Sequence, residues 1–449
     1  MDPVLDRYAT RATPRYTSYP TAPHFQKGFP EETYRGWLAD LETADPISLY
    51  LHVPFCRQMC WYCGCNMKLA AKYDPVAAYA KTLRKEIALT ADALPARMTI
   101  SHLHWGGGTP TALSPDDLTL LMQDVRSRWD FAPDAEIAIE SDPRTLTAEM
   151  AKRIGELGFT RASFGVQEFD LKVQKAINRI QPPEMVRTSV TQLREAGVSG
   201  INFDLIYGLP FQTVESLVET VKLTAQMRPD RVALFGYAHV PWMAKNQRMI
   251  DDASLPDAAE RAAQANAAAE ALLAEGYVAI GLDHFALPQD DLTVAAQNGQ
   301  LRRNFQGYTT DLATTMIGLG ATSIGKTPFG YQQNISETGA WSRSVEAGIL
   351  PVAKGLPFEK DDVLRAEVIE RLMCDGSVDA AAVGRKHNAP DNWWVAPCHS
   401  LVEMERDGLL QMSQGKVTMT ARGRPLVRLA AAAFDAYLQD STARHSVAV

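Results

Sequence analysis

The chain has 449 residues, of which 46% are hydrophobic and 22% charged, and it carries a formal net charge of -8. That balance excludes a globally disordered chain, and at roughly 150 residues per domain the length implies two or three folding units. The negative charge opposes nonspecific attraction to nucleic acid or to an anionic membrane, so an anionic substrate would have to be met by local arginines.

The opening segment Met1-Asp2-Pro3-Val4-Leu5-Asp6-Arg7 lacks the basic start and apolar run of a secretory signal. No later apolar run is long enough to span a bilayer, so the expected location is the cytoplasm, with no membrane insertion. Residues 1–46 read as an N-terminal extension, in which Pro14-Arg15-Tyr16-Thr17-Ser18-Tyr19-Pro20-Thr21 is too proline-rich for an internal helix. From residue 47 onward, short β-rich runs alternate with longer stretches of helical period, the pattern of parallel strands joined by crossover helices. The six predicted strands are Ser48–Val53, His102–Trp105, Glu136–Ile139, Arg161–Phe164, Ile201–Leu205 and Arg231–Phe235.

Between them, Ser114-Pro115-Asp116-Asp117 supplies an N-cap, a proline at the first helical position and acids in the first turn. Val186, Val190 and Leu193 share one helical face, and Gly197 is placed to end that helix in a left-handed conformation. The next helix uses Val214, Leu217 and Val221. Six such units over a central domain, residues 47–340, predict an α/β fold of the partial (β/α)6 barrel type, with functional groups gathered at the strands' C-terminal ends. An open doubly wound sheet is the alternative. Beyond about residue 340 the pattern turns mostly helical, with a hairpin expected around Gln414-Gly415 and a possible winged-helix outline over 341–449. That segment carries 13 Lys/Arg against 14 Asp/Glu, so packing or a lid role suits it better than nucleic-acid binding.

Four of the six cysteines lie between positions 56 and 65, directly after the first strand. In a cytosolic chain such clustering reads as metal ligation or buried thiols rather than a disulfide framework. Cys56, Cys60 and Cys63 are spaced Cys-x3-Cys-x2-Cys on a loop. Three soft thiolates for four irons leave one iron open to an exogenous ligand. A structural zinc site would want a fourth ligand and a second paired motif at ordinary zinc spacing, which the sequence does not offer. Cys65 could be a fourth ligand, a substrate-side thiol or packing.

The second strand runs into Gly106-Gly107-Gly108-Thr109-Pro110, where missing side chains let backbone approach a ligand, although a tight turn would look the same. Further round, Glu140 ends strand three, Gln167 follows strand four, Asp204 lies in strand five and Ala238 follows strand six. Carboxylates can hold an ammonium or ribose hydroxyls, the amide can donate and accept, and Arg179 can pair a carboxylate through its planar fork.

The cysteine spacing resembles that of the radical S-adenosylmethionine (SAM) superfamily. More specifically, the chain resembles the oxygen-independent coproporphyrinogen III oxidase family along nearly its whole length. The resemblance is carried by Cys63-Gly64-Cys65-Asn66, Arg15-Tyr16-Thr17-Ser18-Tyr19-Pro20-Thr21, Gly106-Gly107-Gly108-Thr109-Pro110-Thr111, Asp283-His284-Phe285-Ala286 and Asn304-Phe305-Gln306-Gly307-Tyr308-Thr309-Thr310. It implies a catalytic domain over 47–340, a 4Fe-4S cluster on Cys56, Cys60 and Cys63, and two bound molecules of SAM. It also implies that a 5'-deoxyadenosyl radical converts two propionates of coproporphyrinogen III to vinyls, giving protoporphyrinogen IX in haem synthesis.

Matching positions imply cofactor contacts at Tyr50, Tyr62, Gly107, Gly108, Thr109, Glu140, Gln167, Arg179, Asp204, Ala238 and Ile324, and roles in turnover for His52, Cys65 and Gln306. Tyr62 replaces a phenylalanine common in relatives, and either ring can cover a cluster. In that family Cys65 is not a cluster ligand. Arg15, Arg302 and Arg303, placed inside the matching segments, are the candidates for the substrate's propionates. The resemblance further implies a low-potential electron donor of unspecified identity, and the expected state is a monomer. The competing functions are a haem chaperone and a radical SAM methyltransferase of the same superfamily. The chaperones typically lack the fourth cysteine and the long N-terminal extension that this chain has.

Overall fold

In the computed structural model, which describes Val4, Arg7, Tyr8, Arg11 and residues 13–438, each of the six apolar runs becomes a strand. They are β1 (Ile47–Val53), β2 (Thr99–Gly107), β3 (Asp130–Ser141), β4 (Arg161–Gln167), β5 (Gly200–Tyr207) and β6 (Arg231–Gly236). Each pairs in parallel with the next in the chain, in register Leu49↔Leu103, Leu103↔Ile137, Ile139↔Ala162, Phe164↔Phe203 and Phe203↔Val232. Parallel neighbours need a long crossover, and helices supply most of it: α1 (Asp74–Ala91), α2 (Pro115–Arg128), α3 (Ala148–Glu156), α4 (Pro183–Glu195) and α5 (Val214–Met227). Strand order follows chain order, which is one-way winding of the barrel kind, whereas a doubly wound sheet reverses at a switch point. No pairing among the described strands joins the two ends, so the sheet does not close.

The pleat divides the sheet's residues into two sets. Leu49, Leu51, Leu103, Trp105, Ile139, Ala162, Phe164, Ile201 and Phe203 are buried, while the alternate positions Tyr50, His52, His104, Glu140, Ser163 and Asp204 share the opposite face. Helix α2 buries Leu118, Leu121, Met122 and Val125 completely. At about 1.5–3 kcal/mol for each such side chain, this stripe fixes the helix firmly. Its N-terminus is where the sequence predicts it, with Ser114 Oγ accepting from the Asp117 N–H. Val186, Val190 and Leu193 are buried on α4, and Gly197 adopts φ +97° beyond its end.

The chain divides into two compact units, Phe25–Pro256 with Ala313–Pro357, and Met1–His24 with Asp257–Leu312 and Phe358–Val449. This interleaved division differs from the linear one expected at 46 and 340. In the first unit, Thr315–Leu319 adds a parallel strand to the free edge of β1, and Ile324–Thr327, Gly330–Asn334 and Val352–Pro357 extend the sheet antiparallel. The sequence reading held no strands there.

The second unit has its own core, in which Leu364, Val368 and Leu372 of helix Lys360–Asp375 pack with Leu409, Val417, Phe434 and, from the chain's start, Tyr8, Tyr16 and Tyr19. Its hairpin Leu410–Ser413/Lys416–Met419 turns at Gln414 (φ +50°) and Gly415 (φ +86°), where the sequence places it. Residues 1–3 and 439–449, at the outer ends of the two expected terminal segments, lie outside the described residues. Among the described residues, no helix is long and apolar enough to cross a membrane.

Candidate active site

A loop leaves β1 and is pinched at its base, where Phe55–Cys56 pairs in parallel with Lys68–Leu69. Its backbone is fixed from outside by two amides that follow β6. Asn246 Nδ2 donates to the carbonyls of Cys60, Trp61 and Cys63 at 2.8–3.1 Å, and Gln247 Nε2 to that of Tyr62 at 2.8 Å. Within the loop Cys60 is buried, Cys56 and Cys63 half-buried and Cys65 exposed. Burial pushes the Cys56 thiol up to about 12. The Cys65 thiol hydrogen-bonds to the Cys63 sulfur, which brings Cys63 down to about 7 and pushes Cys65 up, and the Cys65 N–H lies 3.4 Å from the same sulfur.

The three thiols line one cleft with Gly107, Gly108 and Thr109 of the second strand's end and Glu140, Gln167, Arg179 and Asp204 from the others. The triple glycine has no spare room. A Cβ on Gly106 would lie 2.7 Å from Glu140 Oε1, one on Gly107 (φ +121°) 2.8 Å from the His52 ring, and one on Gly108 2.7 Å from the Phe55 carbonyl. Glu140 is anchored by the Gly107 N–H (3.2 Å) and His104 Nε2 (3.2 Å). Asp204 has its carboxyl raised to about 7 by burial and by the neighbouring Glu140. Gln167 sits at an irregularity between β4 and β5 with φ +68°, a strained conformation for a non-glycine residue, and its buried Oε1 has no hydrogen-bond partner among the described residues.

Arg179 follows the short helix Leu171–Ala176 and donates to the Gly165 carbonyl and, at 3.3 Å, to Cys60 Sγ. Burial opposes its charge, yet Tyr62, Asp142 and Cys60 together raise its pKa. Among the described residues no three His, Cys, Asp or Glu side chains meet as they would on a single metal ion. Each corner of a four-iron cluster is a separate iron, so thiols arrayed around a cleft are what that group requires. Soft sulfur donors, a guanidinium beside one of them and an orphaned amide oxygen all fit a cluster with a polar ligand at its side.

Of the residues singled out from sequence, the cleft gathers Cys56, Cys60, Tyr62, Cys63, Cys65, Gly107, Gly108, Thr109, Glu140, Gln167, Arg179 and Asp204. Tyr50 and His52 are bonded to each other (Oη to Nδ1, 2.9 Å) behind the glycines; burial lowers the His52 pKa despite a bond to the Asn66 carbonyl. Ala238 and Ile324 are not in the lining, and the Ala238 carbonyl accepts from Gln247 at 3.2 Å. Gln306, Arg15, Arg302 and Arg303 belong to the second unit.

In that unit Gln306 is exposed at a hairpin turn, and Arg302 Nε lies 3.0 Å from Glu370. Arg303 is buried over the Tyr308 ring, with Nη1 3.9 Å from Asp283 and neither Nε nor Nη1 hydrogen-bonded among the described residues. Burial opposes the charge of Asp283, but His284, Arg303 and Arg15 bring its carboxyl to about 2. Sequence reasoning missed Asp142, Arg144 and Asn246. Asp142 and Arg144 come just past a strand end in Asp142-Pro143-Arg144, a signal that could have marked them.

The radical SAM superfamily profile matches residues 50–224. The oxygen-independent coproporphyrinogen III oxidase of Bradyrhizobium diazoefficiens is 48% identical over 98% of both chains. That of Helicobacter pylori strain J99 is 41% identical over 95% of this chain and 94% of its own. Among solved structures, coproporphyrinogen III oxidase from Escherichia coli, described as a radical SAM enzyme, superposes with a TM-score of 0.92 at 37% identity, covering 97% of this chain and 99% of that one.

Proposed function

We propose a function from one premise: the chain belongs to the oxygen-independent coproporphyrinogen III oxidase family, within the radical SAM superfamily. It is an oxidoreductase of haem synthesis that acts on coproporphyrinogen III, turning two propionates into vinyls with loss of carbon dioxide to give protoporphyrinogen IX. The observation that carries this reading to the residues is the meeting of the Cys-x3-Cys-x2-Cys thiols with Arg179, Asp204, Gln167 and the packed glycines in one cleft.

When bound, the 4Fe-4S cluster would supply one electron to SAM and SAM the 5'-deoxyadenosyl radical that takes hydrogen from the propionate carbon next to the ring, with the electron released on loss of carbon dioxide passing to an acceptor. The chain's own work is to bind, orient and shield. Cys56, Cys60 and Cys63 hold the cluster, and Tyr62 covers it. Arg179 offers its planar fork to the cofactor's carboxylate, while Asp204 and Glu140 face its cationic and hydroxyl groups. The glycines let that ligand lie on backbone. Tyr50, Ala238 and Ile324, together with the cleft residues, serve two cofactor molecules in this proposal.

His52, Cys65 and Gln306 serve turnover on the substrate side. Arg15, Arg302 and Arg303 are the candidates for the propionates, with Arg302 Nε 3.0 Å from Glu370 and Arg303 Nη1 3.9 Å from Asp283. A cytoplasmic monomer supplied by a low-potential electron donor completes the proposal.

The test is anaerobic reconstitution with iron and sulfide, followed by incubation with coproporphyrinogen III, reductant and SAM. Deoxyadenosine and protoporphyrinogen should appear together. Deoxyadenosine without protoporphyrinogen refutes the substrate, and failure to take up iron refutes the site. In the same assay, Arg303→Gln should raise KM for coproporphyrinogen more than it lowers kcat. An unchanged KM removes Arg303 from substrate binding.

A further inference from the structure

One cluster ligand is met by two cations. Arg144 Nη2 lies 3.2 Å and Arg179 Nη1 3.3 Å from Cys60 Sγ. Both guanidiniums share a single carboxylate, Asp142 Oδ2, at 2.6 and 3.4 Å. The side chains of Arg144, Arg179 and Asp142 are only 4%, 7% and 11% exposed. Two positive charges against one negative leave a surplus positive charge in a place shielded from water, and the Cys60 sulfur is the group it points to.

Arg144 is also held rigidly. Its Nε lies 3.0 and 3.1 Å from the two Asp142 oxygens, and its Nη1 lies 3.1 Å from Gln58 Oε1. Such a fixed donor costs no reorganisation when charge arrives, and its influence is larger in a low-dielectric surrounding.

Resting on the assignment of the cluster to these cysteines, we infer that Arg144 is a positioning residue that orients the Cys60 sulfur and raises the reduction potential of the cluster. Reduction adds one negative charge to the cluster, so a cation bonded to a ligand sulfur stabilises the reduced form more than the oxidised one. Hydrogen bonds to the sulfurs and local net charge are among the factors that set cluster potentials. Once the Arg179 fork is occupied by the cofactor's carboxylate, Arg144 is the cation that remains for Cys60.

The test is an EPR-monitored redox titration of the reconstituted full-length protein and two variants, Arg144→Gln and Asp142→Asn, with iron and sulfide content measured on each. Arg144→Gln keeps an N–H donor and removes the charge. Its reduced-to-oxidised ratio at a fixed ambient potential should fall at least tenfold, equivalent to about 59 mV for a one-electron couple. Asp142→Asn removes the compensating anion and should move the midpoint the other way. A general structural disturbance would not give opposite signs.

An unchanged midpoint in Arg144→Gln, or shifts of the same sign in both variants, overturns the inference. If Arg144→Gln fails to load iron while the wild type loads, Asp142→Asn decides: a positive shift supports the role, and none or a negative one overturns it. Wild-type protein that takes up no iron removes the premise, and the inference with it, an outcome the iron content tells apart.

Discussion

At the N-terminal ends of β4 and β6, Glu136 lies 2.8 Å from Arg161 Nε and 3.7 Å from Arg231 Nη2; at the C-terminal ends of the same sheet, Asp142 lies 2.6 Å from Arg144 and 3.4 Å from Arg179. Each end brings one carboxylate within reach of two guanidiniums. At the first, Arg161 Nη1 finds the neutral Asn202 Oδ1 at 3.0 Å, and Gly200 leaves the room, since a Cβ there would stand 2.7 Å from that nitrogen. At the second, the surplus charge falls on a thiol that can take a metal. The two ends differ in what else the guanidiniums meet, an amide oxygen at one and a sulfur at the other. Strand ends that open into loops can present a soft ligand, whereas the opposite ends can only be packed.

Cys60→Ala tests this contrast most severely, since it removes the sulfur from the loop end alone. Cluster uptake and turnover should be abolished, as seen in iron content and product assay, with an unchanged far-UV circular dichroism spectrum. A variant that still binds its full complement of iron would break the contrast. Glu136→Gln is the mirror experiment. Breaking this buried ion pair by removing its carboxylate charge should cost about 3–5 kcal/mol in denaturant unfolding, while iron content per folded molecule stays at the wild-type value.

The third test adds a carboxylate whose partners among the described residues are neutral donors. Glu86 is buried and accepts from the Gly320 N–H (2.7 Å), Asn334 Nδ2 (2.6 Å) and Trp341 Nε1 (3.1 Å). Burial outweighs these neutral donors and raises it to about 7. For Glu136 burial also opposes ionisation, but Arg161 and Arg231 overcome it and bring it to about 2. The signs follow from linkage. Folded protein keeps the Glu86 proton that the unfolded chain loses above about 4.5, so stability falls as pH rises from there to about 7 and then levels off. The Glu136 contribution is complete above about 4.5 and is lost as pH falls toward 2. Glu86→Gln should flatten the upper window, worth on the order of 3 kcal/mol at 1.36 kcal/mol per pH unit, and leave the lower one intact. Urea midpoints measured across pH would register it.

Much of this was legible in the sequence because it is local. The six strands, the Ser114 cap and the turn at Gln414-Gly415 each declare themselves within a few residues. So does the cysteine loop, whose ligand spacing is a property of one loop. The strands of residues 315–357 were not legible, because Thr315–Leu319 is specified by the β1 edge it joins more than by its own pattern. Arg302 and Arg303 looked alike as cations, yet the two-residue period of a strand sends one to Glu370 and the other over Tyr308. The strand end could have marked Arg144, but not its partner 84 positions away, and the partners of Asn246 lie 183–186 positions from it, separations at which one sequence does not show who meets whom.

The interleaved path of the chain has a consequence for how the protein is born. Tyr16 donates to Asp435, 419 positions later, and Tyr8 to Asp407. Those tyrosines leave the ribosome 419 and 399 positions ahead of their partners. The unit holding the cysteine loop is complete once Pro357 has been made. Translation therefore delivers the unit with the cysteine loop as a finished stretch of polypeptide while the residues from Leu364 to Phe434 that pack with Tyr8, Tyr16 and Tyr19 are still unsynthesised.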